Sequence, residues 1–191
     1  LKYNFKNYLQ SDITLLIQAI NTLGEGLVGL ELGVLRGDSS MTILHNCSIE
    51  KLYLIDNWKP YHDYLKTIPD GKPASYMDEI NQEVNEFLTR HKIKNSGHTN
   101  KVEIIKEDSI KASAFIPDNH LDFIFFDAMM TESQTYKEAF AYLPKVKKGG
   151  IFMGHDANAL QQVISPIEKV KTHFKNDNKI NSFGNTFCFR I

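Results

Sequence analysis

Cysteine is scarce in this sequence. Only Cys47 and Cys188 occur in 191 residues. Their separation fits neither a disulfide framework nor a metal-ligand spacing, so reduced thiols in a cytoplasmic protein are expected. An excess of charge of one sign is also missing: 22 Lys and Arg face 23 Asp and Glu, a net charge of −1. That balance removes the electrostatic case for nucleic acid or an anionic membrane as a partner. No apolar run nears the roughly 18 residues of a membrane span. The first residues read as a polar and apolar mix rather than a signal peptide. Repeats and low-complexity tracts are absent. So is the Gly-x-Gly-x-x-Gly fingerprint, which argues against a dinucleotide pyrophosphate clamp.

What is present is ordinary globular composition, 42% hydrophobic and 24% charged, in a length that suits one domain over residues 1–191. A leading helical segment, 1–26, carries apolar residues at helical spacing over Asn7–Leu23 and stops at Gly24. Short apolar runs predict strands at Leu27–Leu32, Lys51–Ile55, Val102–Lys106, Leu121–Phe126 and Ile151–Met153. Between them, helices are expected at Asp38–Asn46, capped by Asp38 or Ser39, and at Ser75–His91, Ser133–Leu143 and Ala159–Phe174. The last of these should be interrupted near Pro166. Gly184-Asn185 between Lys179–Phe183 and Thr186–Arg190 signals a hairpin. Segment 57–73, with Trp58, Tyr61 and Tyr64, reads as a long loop or lid whose aromatic rings could close over a flat ligand or cover the sheet edge.

Strands alternating with helices predict an α/β fold: a Rossmann-like, doubly wound, mostly parallel sheet. Ligands bind such sheets beyond the carboxyl ends of the strands. Five acids stand at those ends here: Glu31, Asp56, Asp108, Asp127 and Asp156. The first end is the most informative. Val28–Ser40 runs from a buried strand through Glu31 and the Gly33–Gly37 turn into a helix, bringing bare backbone N–H groups toward a ligand.

Each position offers competing roles. Asp56 follows the first glycine at the interval of a ribose-binding acid, and a carboxylate there can accept both ribose hydroxyls. Asp108-Ser109 suits an adenine edge, or an N-cap for the segment from Ile110, or both. Asp127 borders the switch point and should lie near the reacting centre. His155, beside Asp156 and across from Asp127, could serve as a general base or be held by backbone in a structural role. Alternatively Asp127 and Asp156 could hold Mg²⁺ or another divalent cation.

Together, Glu-Leu-Gly-Val-Leu-Arg-Gly-Asp-Ser-Ser, Asp56, Asp108-Ser109, Asp127 and Gly-Gly-Ile-Phe-Met-Gly-His-Asp resemble class I S-adenosylmethionine-dependent methyltransferases. More narrowly they are similar to the small-molecule group with a Glu-x-Gly-x-x-x-Gly-x-Ser first motif and a Gly-Gly-x-x-x-x-His-Asp fifth-strand motif. The resemblance covers roughly residues 27–158. It implies a seven-stranded sheet with an antiparallel C-terminal strand. It also implies S-adenosyl-L-methionine as cofactor, with Glu31, Gly33 and Gly37 by its methionine part, Asp56 by the ribose, and Asp108 and Ser109 by the adenine; Ser39 and Asp127 are further cofactor-binding candidates.

Two departures bear on mechanism. The Asp-x-x-His-x-Tyr pattern of many relatives reads Asp127, Met130 and Glu132 here. The Lys that metal-dependent catechol-type relatives place three residues after the strand-end Asp is also Met130. His155 is then the remaining base candidate. The expected function is methyl transfer to a small-molecule substrate, on oxygen more than nitrogen, with no nucleic-acid or membrane partner; a homo-oligomer is compatible with the sequence. A nicotinamide-dependent oxidoreductase and a non-catalytic nucleoside-binding protein are the alternatives.

Overall fold

A computed structural model describes residues 9–60, 79–128 and 131–191. Tyr61, Tyr64, most of segment 57–73 and Met130 lie outside them. The strands are β1 Leu27–Leu32, β2 Ile49–Ile55, β3 Val102–Ile105, β4 Leu121–Phe126, β5 Val146–Gly154, β6 Asn181–Phe183 and β7 Thr186–Arg190. They form one seven-stranded sheet in the order β3-β2-β1-β4-β5-β7-β6. The first five run parallel, and β7 is antiparallel to both β5 and β6. This is the Rossmann-like, mostly parallel sheet expected, with its antiparallel C-terminal strand.

Side chains alternate across each strand, so a strand buried on both faces reads as a continuous apolar run. In β4, Ile124 and Phe126 join Leu30, Leu32 and Phe152 on one face. Phe123 and Phe125 join Leu52 and Leu54 on the other. Helices α1 Leu9–Asn21, α2 Asp38–Asn46 and α3 Glu79–Asn95 cover the second face through Leu16, Ile20, Ile43, Leu44 and Ile93. Helices α4 Ser109–Ala112, α5 Glu132–Tyr142 and α6 Ser165–His173 cover the first through Ala112, Tyr142, Ile167 and Val170. Among the described residues, no helix is long and apolar enough to cross a membrane.

Three local expectations are corrected. Gly37, not Asp38 or Ser39, precedes α2 as its N-cap; its φ is +71°, with no side-chain cap. Asp38 instead opens the helix, where its charge suits the helix dipole. β5 starts at Val146 rather than Ile151, because a bulge lets the strand keep pairing with β4 on both sides of the glycines. Pro166 does not interrupt α6 but sits in its first turn, after a π-helical stretch over Leu160–Ile164. Proline lacks the N–H that a first-turn residue would leave unpaired anyway.

The chain leaves β1 toward β2 and β3 on one side, and β4 leads to β5 on the other. The switch point therefore lies between β1 and β4, and a crevice opens above their carboxyl ends.

Candidate functional site at the carboxyl edge of the sheet

The turn after β1 crosses that crevice. A Cβ on Gly33, whose φ is +87°, would stand 2.1 Å from the Asp127 carbonyl oxygen. Only glycine lets the turn pass so close to the end of β4. The turn is braced from below. Asp56 Oδ2 accepts the Val34 and Leu35 N–H groups, both at 2.9 Å, and Oδ1 accepts the Trp58 N–H at 2.8 Å. The Leu35 carbonyl accepts from Trp58 Nε1 at 2.8 Å and Thr89 Oγ1 at 3.0 Å. Lys92 Nζ donates to the Arg36 carbonyl at 2.8 Å and to Asp38 at 2.6 Å. Thr89 and Lys92 went unnoticed in the sequence, where α3 shows only a polar side.

Two expected residues are thereby placed in supporting positions. Trp58 is 5% exposed and packs with the α1–α3 face of the core, so its ring does not close over the crevice. Asp56 lines the crevice while both its oxygens hold backbone donors. A carboxylate has lone pairs beyond these three bonds.

Glu31 ends β1 fully buried, and the hydroxyls of Ser39 and Ser40 donate to its two oxygens. Burial pushes its pKa up to about 8; the two serines oppose this, and the charges of Asp127 and Asp56 add to it.

The crevice encloses about 150 Å³, with Gly33, Asp56, Asn57, Asp108, Ser109 and Glu138 among its lining. Asp108 caps α4, its Oδ1 accepting the Ile110 and Lys111 N–H groups at 3.1 Å each. Its expected capping role is therefore realised. Ser109 Oγ donates to Glu138 Oε1, Gln134 Nε2 donates to the same oxygen at 2.8 Å, and Tyr142 OH donates to the Ser109 carbonyl at 2.6 Å. Burial pushes Glu138 up to about 7, against the hydrogen bonds from Ser109 and Gln134 and with the charge of Asp108 adding. Asn57, Gln134 and Glu138 were not singled out from the sequence. The last two lie on an amphipathic helix, where nothing local marks them.

Next to this crevice, β4 delivers Asp127 and β5 delivers His155 and Asp156. Backbone bonds from Asp127 N–H to the Leu32 carbonyl (2.8 Å) and from His155 N–H to the Phe126 carbonyl (3.1 Å) carry the sheet ladder to these residues. His155 Nδ1 lies 3.3 Å from Asp156 Oδ1 and 3.9 Å from Asp127 Oδ1. Asp156 has a φ of +59°. The β6–β7 turn steadies it: Asn185 Nδ2 donates to Asp156 Oδ1 at 2.9 Å, and Asn185 Oδ1 accepts the Asn158 N–H at 3.1 Å. Crowding by protein raises the Asp127 carboxyl to about 6, with His155 opposing and Asp156 adding. Its side chain is still 37% exposed, so water moderates that rise. The hydrogen bond with His155 holds Asp156 below the usual carboxylate range; burial opposes it, and the His155 charge and Asn185 assist. One ligand atom from each of Asp127, His155 and Asp156 lies within 4.8 Å of the others. Two carboxylates and an imidazole so placed fit either a proton-transfer group or the donor set of a divalent cation.

A family model described as a methyltransferase domain matches residues 30–157. No curated protein matches the chain with significance. Solved structures share the fold at low identity. A candidate caffeoyl-CoA O-methyltransferase from Staphylococcus aureus is 15% identical, with a TM-score of 0.62 over 94% of this chain and 82% of that one. The O-methyltransferase NovP is 14% identical, with a TM-score of 0.61 over 93% and 77%. A candidate rRNA methylase from Clostridium thermocellum is 11% identical, with a TM-score of 0.62 over 95% and 97%.

Proposed function

Since the chain belongs to the methyltransferase domain family, we propose that it carries the methyl group of S-adenosylmethionine to a hydroxyl of a small molecule. The observation that carries this reading is the cluster of His155, Asp127 and Asp156 beside the glycine-turn crevice. In the proposed reaction the acceptor oxygen attacks the methyl carbon in line with the sulfur. The carbon–sulfur bond breaks and S-adenosylhomocysteine leaves. Positioning supplies much of the rate. His155 takes the proton from the acceptor, and the carboxylates of Asp127 and Asp156 on its Nδ1 side orient the ring and favour its protonated form.

The cofactor site runs along the rim. Gly33 and Gly37 let the turn approach the methionine part, with Glu31 and Ser39 beneath it. Asp56 takes the ribose, and Asp108 with Ser109 takes the adenine. Acids suit this rim because the sulfonium and the ammonium of the cofactor are both cationic. Nearly equal numbers of basic and acidic side chains, 22 and 23, favour a small acceptor over RNA.

A second reading rests on the same three donors. Asp127 and Asp156, with His155, would hold Mg²⁺ or Mn²⁺. When bound, such a cation would lower the acceptor hydroxyl's pKa. In that case His155 serves as ligand rather than base.

Radiolabelled methyl transfer tests both readings on a panel of small hydroxyl compounds, with ribosomal RNA as the contrasting acceptor. His155→Ala should slow turnover about 10²-fold or more while leaving S-adenosylhomocysteine binding intact. Unchanged turnover removes the base. Thorough chelation that abolishes activity, with rescue by Mg²⁺ or Mn²⁺, supports the cation; activity indifferent to chelation removes it.

A further inference from the structure

We propose that Thr89 is a positioning residue for the cofactor: its hydroxyl holds the Leu35 peptide in the form on which the cofactor lies. This rests on the reading that the cofactor crosses the turn from Gly33 to Gly37.

Between those two glycines, Leu35 alone takes a left-handed conformation, with a φ of +52°. There a Cβ crowds the following carbonyl oxygen, which is why glycine usually fills such places. A leucine stays in that form only where its surroundings over-determine it. Three side chains do so. Asp56 Oδ2 accepts the Leu35 N–H at 2.9 Å. The Leu35 carbonyl accepts from Trp58 Nε1 at 2.8 Å and from Thr89 Oγ1 at 3.0 Å.

The three are not equivalent. Asp56 and Trp58 both follow β2 directly, and Asp56 also holds the Trp58 N–H at 2.8 Å. Thr89 belongs to α3, 54 positions from Leu35, so it ties the turn to a separate element. The helix is seated tightly there. Thr89 is fully buried, and a Cβ on Gly37 would stand 3.3 Å from both its methyl carbon and its hydroxyl oxygen. About one helical turn further on, Lys92 Nζ donates to the next carbonyl of the turn, that of Arg36, at 2.8 Å. Two successive carbonyls are thus held from α3. Without the Thr89 hydroxyl, relaxed forms of Leu35 compete with the strained one. The apparent affinity of a ligand then falls with the population of the form that binds it.

Two substitutions separate this role from packing. Thr89→Val keeps the shape and removes the donor. Thr89→Ser keeps the donor and removes the methyl group. In calorimetric titrations with S-adenosylhomocysteine, Thr89→Val should weaken binding about fivefold. Thr89→Ser should bind about as tightly as wild type, although its lost methyl group lowers the melting temperature. Trp58, the single tryptophan of the chain, supplies an independent readout, because its indole N–H shares the Leu35 carbonyl. Acrylamide should quench it more readily in ligand-free Thr89→Val than in wild type, and saturating S-adenosylhomocysteine should remove the difference. Unchanged affinity or unchanged quenching in Thr89→Val overturns the proposal. So does an equal loss of affinity in both variants, which would mark Thr89 as a packing residue alone. If the wild type does not bind the compound, the cofactor reading falls as well, so the two failures are distinct.

Discussion

Glu31 offers the sharpest test of how the turn is built. It is fully buried and accepts from Ser39 and Ser40, and burial lifts its pKa from 4.5 to about 8. Below pH 4.5 the folded and unfolded chains both hold the proton. Above it the unfolded chain releases the proton while the folded chain keeps it, up to about pH 8. Stability must fall as pH rises through this window, by about 1.4 kcal/mol per pH unit at the steepest. The whole window amounts to ~5 kcal/mol at most, a large share of the marginal stability of a typical domain. Glu31→Gln removes the titration. One serine can still donate to the amide oxygen, and the other hydroxyl can turn to accept from the amide nitrogen. The assay is urea unfolding of both proteins from pH 5 to pH 8.5. Titrating groups that do not interact with Glu31 cancel in the difference. The variant should gain on the wild type steadily with pH, reaching several kcal/mol by pH 8. Two parallel stability curves would refute the reasoning, because they would mean that Glu31 folds in its ionised form.

Two further substitutions probe the rim. Gly33→Ala places a Cβ 2.1 Å from the Asp127 carbonyl oxygen at a φ of +87°; it should cost about 2 kcal/mol or more in thermal unfolding and abolish S-adenosylhomocysteine binding, and a variant as stable as wild type would contradict the close approach. Asn185→Ala removes the side-chain bonds to Asp156 and the Asn158 N–H; it should cost about 1 kcal/mol and lower kcat while leaving S-adenosylhomocysteine affinity unchanged, whereas an unchanged kcat would deny Asn185 any part in placing the Asp156 carboxylate for the reaction.

Much of this architecture is written locally. Leu121–Phe126 is apolar enough to be buried on both faces, and Asp127 follows it directly, so both the strand and the acid at its tip were readable. The same holds for Leu27–Leu32 and Glu31. The supporting bonds were not readable, because their partners are far apart in the chain. Asp56 meets Val34 and Leu35 across 22 and 21 positions, Thr89 meets Leu35 across 54, and Ser109 meets Glu138 across 29. Trp58 illustrates the limit. A lone tryptophan in a polar, proline-rich stretch reads equally as a ligand cover or as a cover for the sheet edge; its N–H finds the Leu35 carbonyl and its ring the core, as in the second reading. Ser39 stood in a position suited to capping, but α2 opens one residue earlier, at Asp38, and the Ser39 hydroxyl donates to Glu31, eight residues back.

A crystal structure of the protein with S-adenosylhomocysteine is the most direct measurement. Its adenosine is expected between Asp56 and Ser109, with the homocysteine chain over the turn from Gly33 to Gly37 and its sulfur toward Asp127 and His155. Density for the compound elsewhere, or none at this edge at saturating concentration, would contradict that placement.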